Sequence, residues 1–160
     1  MRLTTKGRYA VTAMLDLAFH SQHAPVTLTD IATRQTISLS YLEQLFSRLR
    51  RADMVIGVRG PGGGYQLSKP VADINIADII RAVDEQIDST KCGGEANCQN
   101  HKACLTHDLW TGLSDQIHEY LSGISLGDLL ARKPIQDVAS RQDHDVQQMI
   151  EFRRDVIVRM

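Results

Sequence analysis

Apolar residues recur at helical spacing near the start of the chain and predict a core helix followed by a short one. Over residues 4–22 they return every three or four positions and cover a wide face. Pro25 ends this pattern, and residues 27–34 predict a second helix. Thr36 and Ile37 form a break before the next periodic segment.

A third helix is predicted to begin at Ser40, whose hydroxyl can accept from free backbone amides while Glu43 reaches back in a capping box. Its buried row comprises Leu42, Leu45, Phe46 and Leu49. Its outward row carries hydrogen-bonding and basic side chains, namely Ser40, Glu43, Gln44, Ser47 and Arg51. This pattern predicts a helix-turn-helix, because a tight turn joins two helices and the second one exposes polar and basic side chains.

A hairpin is predicted directly after the third helix, within about residues 54–68. A β-branched run leads into a glycine-rich tip, and a second short run follows it. A hairpin at this point is the wing of a winged helix, whose tip can follow the phosphates or enter the minor groove. Arg59 stands where it can make that contact.

The second half of the chain predicts two further helices separated by a long loop. Residues 75–85 predict a helix, whereas residues 88–105 show no periodicity. Compact domains usually keep a loop of this length for function. Residues 106–123 predict a long amphipathic helix, and its apolar stripe is expected to pack against a second copy of the chain.

The predicted fold is therefore mainly α, a winged helix-turn-helix with a long dimerisation helix and a long loop before it, which the cysteines described below mark as a cluster-binding loop. The expected divisions are residues 1–85 for DNA binding, 86–107 for the loop and 106–133 for dimerisation, where a short helix closes the segment. Residues 134–160 are expected to be a flexible tail, although a few apolar residues near its end leave a final turn or two open.

Composition and charge narrow the class of protein. The chain has 160 residues, of which 42% are hydrophobic, so it can bury a core. Its first residues lack the apolar segment of a secretory signal, and no apolar run reaches the length of a membrane span, which leads us to expect a cytoplasmic protein without membrane contact. Residues 1–70 carry nine Lys and Arg against four Asp and Glu, whereas residues 71–160 carry nine against fifteen. This asymmetry favours a polyanion as the partner of the first half, and an unevenly charged surface without such a partner is the plain alternative.

The three cysteines are concentrated in the long loop and indicate metal binding. Cys92, Cys98 and Cys104 are each five residues apart, and His107 follows closely. Thiolates and imidazole bind zinc or iron–sulfur clusters, and the wide gaps favour a two-iron cluster over a zinc finger. Three unreactive loop thiols are the plain alternative, and His101 competes with His107 as the fourth ligand.

The outward row of the third helix has the chemistry to recognise base edges. Arg can pair with guanine and Gln44 with adenine, while Glu43 can accept from cytosine and would penalise sites without that donor. The capping box remains the structural alternative for Glu43. Candidates for phosphate contacts, which position a protein without specifying a sequence, are Lys6, Arg8, Tyr41 and Arg51.

No enzyme chemistry is visible in the sequence. The glycines at positions 62–64 lack the Lys-Ser/Thr that a phosphate-binding loop needs, and they do not open a helix. No nucleophile, base and orienting group form a recognisable set. We therefore expect a binding protein and no catalytic residues.

Four motifs occur together: Leu3-Thr-Thr-Lys-Gly-Arg-Tyr-Ala-Val11, Ser38-Leu-Ser-Tyr-Leu-Glu-Gln-Leu-Phe46, Val58-Arg-Gly-Pro-Gly-Gly-Gly-Tyr65 and Cys92-x5-Cys98-x5-Cys104-x2-His107. Over about residues 1–135 the chain closely resembles the iron–sulfur cluster regulators of the Rrf family of winged-helix repressors. The resemblance implies a homodimer that binds double-stranded operator DNA. It also implies a [2Fe–2S] cluster on Cys92, Cys98, Cys104 and His107, supplied by the cluster-assembly machinery, and repression of cluster-assembly genes when the cluster is bound.

Several alternatives stay open beside this interpretation. Family members with the same three cysteines can sense nitric oxide, a zinc-stabilised DNA-binding protein fits the same loop, and a cluster carrier could use the winged helix for protein contacts. Repression or activation at a given promoter is also open. One residue departs from the usual pattern: Thr36 stands in the turn where glycine is common, and a left-handed Thr36 would cost about 1–2 kcal/mol.

Overall fold

A computed structural model describes residues 4–158 as seven α-helices and one two-stranded sheet. The elements are α1 (Thr5–His20), α2 (Leu28–Gln35), α3 (Leu39–Arg51), β1 (Val55–Val58), β2 (Gly64–Leu67), α4 (Ile76–Ala82), α5 (His107–Ser122), α6 (Leu126–Leu130) and α7 (Lys133–Val158). A single 3-10 turn at Val71–Asp73 precedes α4. The predicted mainly helical winged helix-turn-helix is confirmed. Both ends of the predicted divisions, residues 1–3 and 159–160, lie outside the described residues.

One core holds α1, α2, α3, α4 and the hairpin together. Phe46 of α3 is fully buried, and its ring meets the ring of Tyr65 edge-on at a centroid distance of 4.9 Å. The predicted buried row of α3 is confirmed, since each of its four members is at most 1% exposed. Leu126 of α6 returns to this core and is also fully buried. The chain thus comes back to the winged helix after the long loop and α5.

The N-terminal end of α3 differs from the prediction. Ser38, not Ser40, caps the helix, because its hydroxyl accepts from the backbone amide of Tyr41. The predicted capping box of Ser40 and Glu43 is wrong, since both residues already lie inside the first turns of the helix. Their side chains are exposed, so the outward row keeps its full set of polar groups.

The hairpin pairs in antiparallel register, with Val55 opposite Leu67 and Val58 opposite Gly64. Val26 extends the sheet by a bridge to Tyr65, with N–H···O distances of 2.9 and 2.8 Å. Gly64 is required at this point, because a Cβ there would lie 2.4 Å from the Val26 carbonyl oxygen. This close approach ties the wing to the segment between α1 and α2.

The prediction of a flexible tail after residue 134 is wrong within the described residues. Residues 133–158 form the single helix α7, which packs against α2 and α6. Apolar residues recur at helical spacing in this polar segment, and Ile135 and Val138 lie beside Leu15 and Phe19 of α1. The tertiary contacts of these sparse apolar residues explain why a segment with a polar composition forms a helix.

Within residues 4–158, no helix is long and apolar enough to cross a membrane.

Candidate metal centre and nucleic-acid interface

The loop between α4 and α5 brings two thiols and one imidazole together at the start of α5. The ligand atoms of Cys92, Cys98 and His107 all lie within 4.8 Å of one another. The Nδ1 atom of His107 is 3.5 Å from the Cys92 sulfur and 3.8 Å from the Cys98 sulfur. His107 is the first residue of α5, so the rigid helix fixes the position from which this imidazole points into the loop.

Cys104 lies beside this group without being part of it. Its backbone amide donates to the Cys98 sulfur at 3.0 Å, whereas its own sulfur lies 3.8 Å from the Thr106 hydroxyl. The ligand group that the structure brings together therefore contains three of the four predicted residues. His101 is exposed and adopts a left-handed backbone conformation with φ 59° in the same loop. The geometry therefore favours His107 over His101.

Hydrogen bonds set the protonation of the three thiols differently. Desolvation raises the pKa of Cys92, but the Thr90 hydroxyl and two backbone amides of the loop outweigh it and lower the pKa from 9.0 to about 7. Cys98 and Cys104 share a hydrogen bond that raises the pKa of the Cys98 thiol and lowers the pKa of the Cys104 thiol. Because the thiolate binds metal, Cys92 is prepared to act as a ligand near neutral pH.

A cleft of about 640 Å³ opens over the three cysteines and is closed on one side by Trp110 and Leu113 of α5. This space is much larger than one metal ion requires, so the residues present fit a cluster as well as an ion. The donor set of thiols and imidazole is also the one that zinc and iron–sulfur groups take. The residues present can therefore hold a metal ion or a cluster.

Hydrogen bonds join the base of the loop to α5. Ser114 accepts from the backbone amide of Ser89 at 2.9 Å, and Asp88 accepts from the amide and hydroxyl of Thr90 at 2.7 and 3.0 Å. The same Thr90 hydroxyl accepts from the amide of Gly94, two residues after Cys92. The loop is thus anchored to α5 on the side from which His107 extends.

Most of the predicted DNA-contacting residues are exposed. On α3, the side chains of Ser40, Glu43, Gln44 and Arg51 face solvent, and Ser47 is half-buried. Tyr41 is also half-buried and meets Tyr9 edge-on at 5.8 Å. Arg8 on α1 and Arg59 after β1 are exposed, while Lys6 is half-buried. The structure places α1, α3 and the wing so that all three present polar or basic side chains to solvent.

Sequence reasoning missed two features of this region. Arg48, which flanks the predicted row, pairs with Asp84 after α4 and so is directed toward the fold. Asp16 of α1 is 2% exposed and accepts from Arg34 and Gln35 at the end of α2. The signal for the second was a single charge within the wide apolar face of α1, because a buried carboxylate needs hydrogen-bonding partners.

Comparison with known proteins identifies the family to which the chain is similar. The family model Rrf2, described as iron-dependent transcriptional regulator, matches residues 3–132. The HTH-type transcriptional regulator IscR of Photorhabdus laumondii is 60% identical over 145 residues, which cover 91% of this chain and 88% of that protein.

Solved structures give the same result. IscR of T. potens superposes with a TM-score of 0.68 at 40% identity, covering 81% of this chain and 86% of its own. CymR of B. subtilis, the global cysteine regulator, superposes with a TM-score of 0.70 at 34% identity, covering 81% of this chain and 95% of its own. These proteins are regulators rather than enzymes, as the sequence predicted. The family resemblance drawn from the four motifs is also confirmed.

Proposed function

We propose that this chain, which belongs to the Rrf2 family and is a DNA-binding transcriptional regulator of the IscR type, represses iron–sulfur cluster assembly genes when it carries a [2Fe–2S] cluster. The observation that carries the proposal is the convergence of Cys92, Cys98 and His107 at the start of α5. Cys104 completes the set as the fourth ligand. The cluster-assembly machinery is the expected donor, and the cytoplasm is the expected location.

A bound cluster would supply a redox-active group whose loss reports that clusters are scarce. The contribution of the chain is to hold it reversibly. Imidazole is a neutral ligand and holds iron less tightly than an anionic thiolate does, and His107 therefore makes the site easier to empty. Ala96, Asn100 and His101 adopt left-handed backbone conformations with φ between 48° and 59°. Such strain is common at functional sites, and ligation of the neighbouring cysteines would offset it.

The exposed face of α5 supports a dimer. Leu109, Leu113 and Tyr120 are 62%, 39% and 65% exposed, and α5 packs on the rest of its chain mainly through α4. Exposed apolar residues in one stripe mark an interaction surface. A second copy of α5 is the occupant we propose, because a two-fold pair of recognition helices matches half-sites on DNA. His107 begins this helix, so ligation at the loop reaches the dimer interface directly.

In the proposed DNA complex, α3 enters the major groove. Gln44, Glu43 and Ser47 read base edges there, and Ser40 and Arg51 reach the bases or phosphates at either side. Lys6, Arg8, Tyr41 and Arg59 contact the phosphates or, for the wing, the minor groove. Glu43 favours sites that offer a cytosine donor, since an unpaired carboxylate beside phosphates is repelled.

The cluster assignment is tested by purifying the protein without oxygen. We expect a coloured protein with near-equal iron and acid-labile sulfide. A colourless protein that contains zinc, and that does not take up iron and sulfide, would overturn the assignment and favour structural zinc. If nitric oxide changed the binding of the protein to promoters unrelated to cluster assembly, that result would instead favour the nitric-oxide sensor of the same family.

The fourth ligand is tested with a matched pair of variants. His107→Ala should shift the visible spectrum and shorten the lifetime of the cluster, whereas His101→Ala, a histidine of the same loop, should leave both unchanged. The reverse pattern would show that His101 is the ligand.

The DNA interface is tested on duplexes selected from a random-sequence pool. Arg51→Ala should weaken binding to all sequences and reduce the slope of log K against log salt by about one. Glu43→Ala should relax the base preference while the salt slope stays. An affinity that does not depend on salt would contradict DNA binding by this surface and favour the cluster carrier.

A further inference from the structure

The C-terminal helix α7 contacts the winged helix at the end of α2. Gln142 of α7 and Gln35, the last residue of α2, form a reciprocal amide pair: each Nε2 donates to the other's Oε1 at 3.0 Å. One residue further along α7, Asp143 accepts from Nε2 of His20, the last residue of α1, at 2.9 Å. Consecutive residues of α7 therefore bind the C-terminal ends of both α1 and α2.

This contact continues into the core through Asp16. The Gln35 amide that donates to Gln142 also donates to the Asp16 carboxylate at 2.7 Å. Arg34 donates to the same carboxylate from Nε at 2.9 Å and from Nη2 at 2.7 Å. Because Asp16 is 2% exposed, its charge depends on these partners, and Gln35 is held between a buried anion and α7.

Gln35 immediately precedes the turn of the helix-turn-helix. Thr36 adopts φ 54° and ψ 43°, the left-handed conformation that a β-branched residue disfavours. Its backbone amide and that of Ile37 both donate to the carbonyl of Ala32, and α3 begins at Leu39. The direction of α3 is therefore set within four residues of Gln35, at a turn that carries strain.

A strained turn persists only when the surrounding structure holds it. On the core side, Gln35 is held by its hydrogen bond to the Asp16 carboxylate, which Arg34 also binds. On its other side, within the described residues, Gln35 is held by α7. Besides the amide pair, α7 lies against α2 through a few apolar residues such as Val146 and Met149. The amide pair fixes the position of α7 relative to α2, because hydrogen bonds require a specific geometry, whereas apolar contacts allow one helix to shift along the other.

We propose that Gln142 is a positioning residue for DNA recognition: α7 holds the end of α2 through the Gln142–Gln35 pair and so keeps the turn at Thr36 and the direction of α3 fixed. The proposal rests on the assignment of α3 as the recognition helix. It gives residues 133–158 a role in DNA binding without contact between α7 and DNA.

The test compares Gln142→Ala with Gln147→Ala in the full-length protein. Gln147 is a matched control, because its exposed side chain bonds only one turn along α7, to Glu151 at 2.9 Å. The probe is a duplex selected by the unaltered protein from a random-sequence pool. Gln142→Ala should weaken its binding about tenfold, as expected for loss of two hydrogen bonds at a half-buried contact, and Gln147→Ala should not.

Amide hydrogen exchange gives a readout that loss of overall stability would not mimic. In Gln142→Ala, the amides of Thr36 and Ile37 should exchange faster while the amides of β1 and β2 keep their rates. A double-mutant cycle with Gln35→Ala isolates the contribution of the pair. The double variant should bind DNA no more weakly than whichever single variant has the lower affinity.

Two results would overturn the proposal: equal affinities for Gln142→Ala and Gln147→Ala, or additive losses in the double variant. Failure of the unaltered protein to select any duplex would instead contradict the DNA interface on α3. Faster exchange throughout the described chain in Gln142→Ala would show a general stabilising role and would also overturn the positioning role.

Discussion

The winged-helix head, residues 5–85, and the arm formed by the loop and α5, residues 86–122, use their apolar residues in opposite ways. In the head, Phe46 and Met14 are fully buried in the chain's own core. In the arm, Leu109 is 62% exposed and Leu105 is 99% exposed. The head therefore buries most of its large apolar side chains in its own core, whereas the arm leaves such side chains exposed, as expected for the surface that the proposed dimer would cover.

Polar groups show the same contrast. Asp16 in the head is buried with a full set of partners, and hydrogen bonds from His20, Arg34 and Gln35 outweigh the effect of burial and lower its pKa from 3.8 to about 2. In the arm, the three thiols are only half-buried and their bonds are mostly to one another and to loop amides. The hydrogen bonds around Asp16 therefore stabilise the head, whereas the half-buried thiols of the arm remain accessible to a metal.

Truncation of one aromatic residue in each region should separate them most clearly. Phe46→Ala should lower the free energy of unfolding by about 3–5 kcal/mol, because it leaves a cavity in the head. Trp110→Ala, at a position that is 41% exposed, should cost less than about 1 kcal/mol in the monomer. Denaturant unfolding at low protein concentration measures both, and equal losses would contradict the comparison.

Metal loading should stabilise the arm and leave the head as it is. At 100 times the dissociation constant, a bound group adds about 2.7 kcal/mol to the form that holds it. Amides of residues 92–107 should therefore exchange more slowly after reconstitution with iron and sulfide, while those of α3 stay unchanged. Cys98→Ala is the control, since it should abolish the protection. Protection of the head to the same degree would argue against separate regions.

The contribution of protonated His20 to the stability of the fold should fall as pH rises. A hydrogen bond with Asp16 is the largest cause that raises the pKa of His20 from 6.5 to about 9, with Asp143 adding to it and burial and Arg34 opposing it. The stabilisation is complete below pH 6.5, falls between 6.5 and 9 by at most about 1.4 kcal/mol per pH unit, and is absent above.

Solvent screening reduces this slope, because part of the imidazole is exposed. Unfolding free energies measured across this pH range, with His20→Gln as the comparison, give the difference directly. We expect the slope to be smaller in His20→Gln, and an equal slope would show that other groups cause it.

The smallest expected effect lies at the turn. Thr36→Gly should relieve the left-handed strain and stabilise the head by up to about 1 kcal/mol, less the entropy that a glycine adds to the unfolded chain. Thermal unfolding checks this, and a lower midpoint for Thr36→Gly would mean that the threonine side chain contributes more than its strain costs.

Much of the head follows from the sequence. Periodicity predicted α1 to α4 within a few residues, and the glycine-rich run predicted the hairpin, because side-chain spacing directly reports helix and strand geometry. The cap of α3 was misplaced by two residues, since Ser38 and Ser40 have the same chemistry and only the backbone path tells them apart. The spacing of Cys92, Cys98 and Cys104 predicted a metal site, and the four-ligand set remains a prediction.

The sequence by itself determined which residues are apolar, which carry charge and where thiols concentrate, and these patterns specify local elements and the chemistry available. Only the tertiary structure decided that α7 is a docked helix, that Gln142 meets Gln35, and that His107 rather than His101 faces Cys92. The reason is physical. Contacts between residues separated by 107 positions depend on how whole elements pack, and no local pattern encodes that distance.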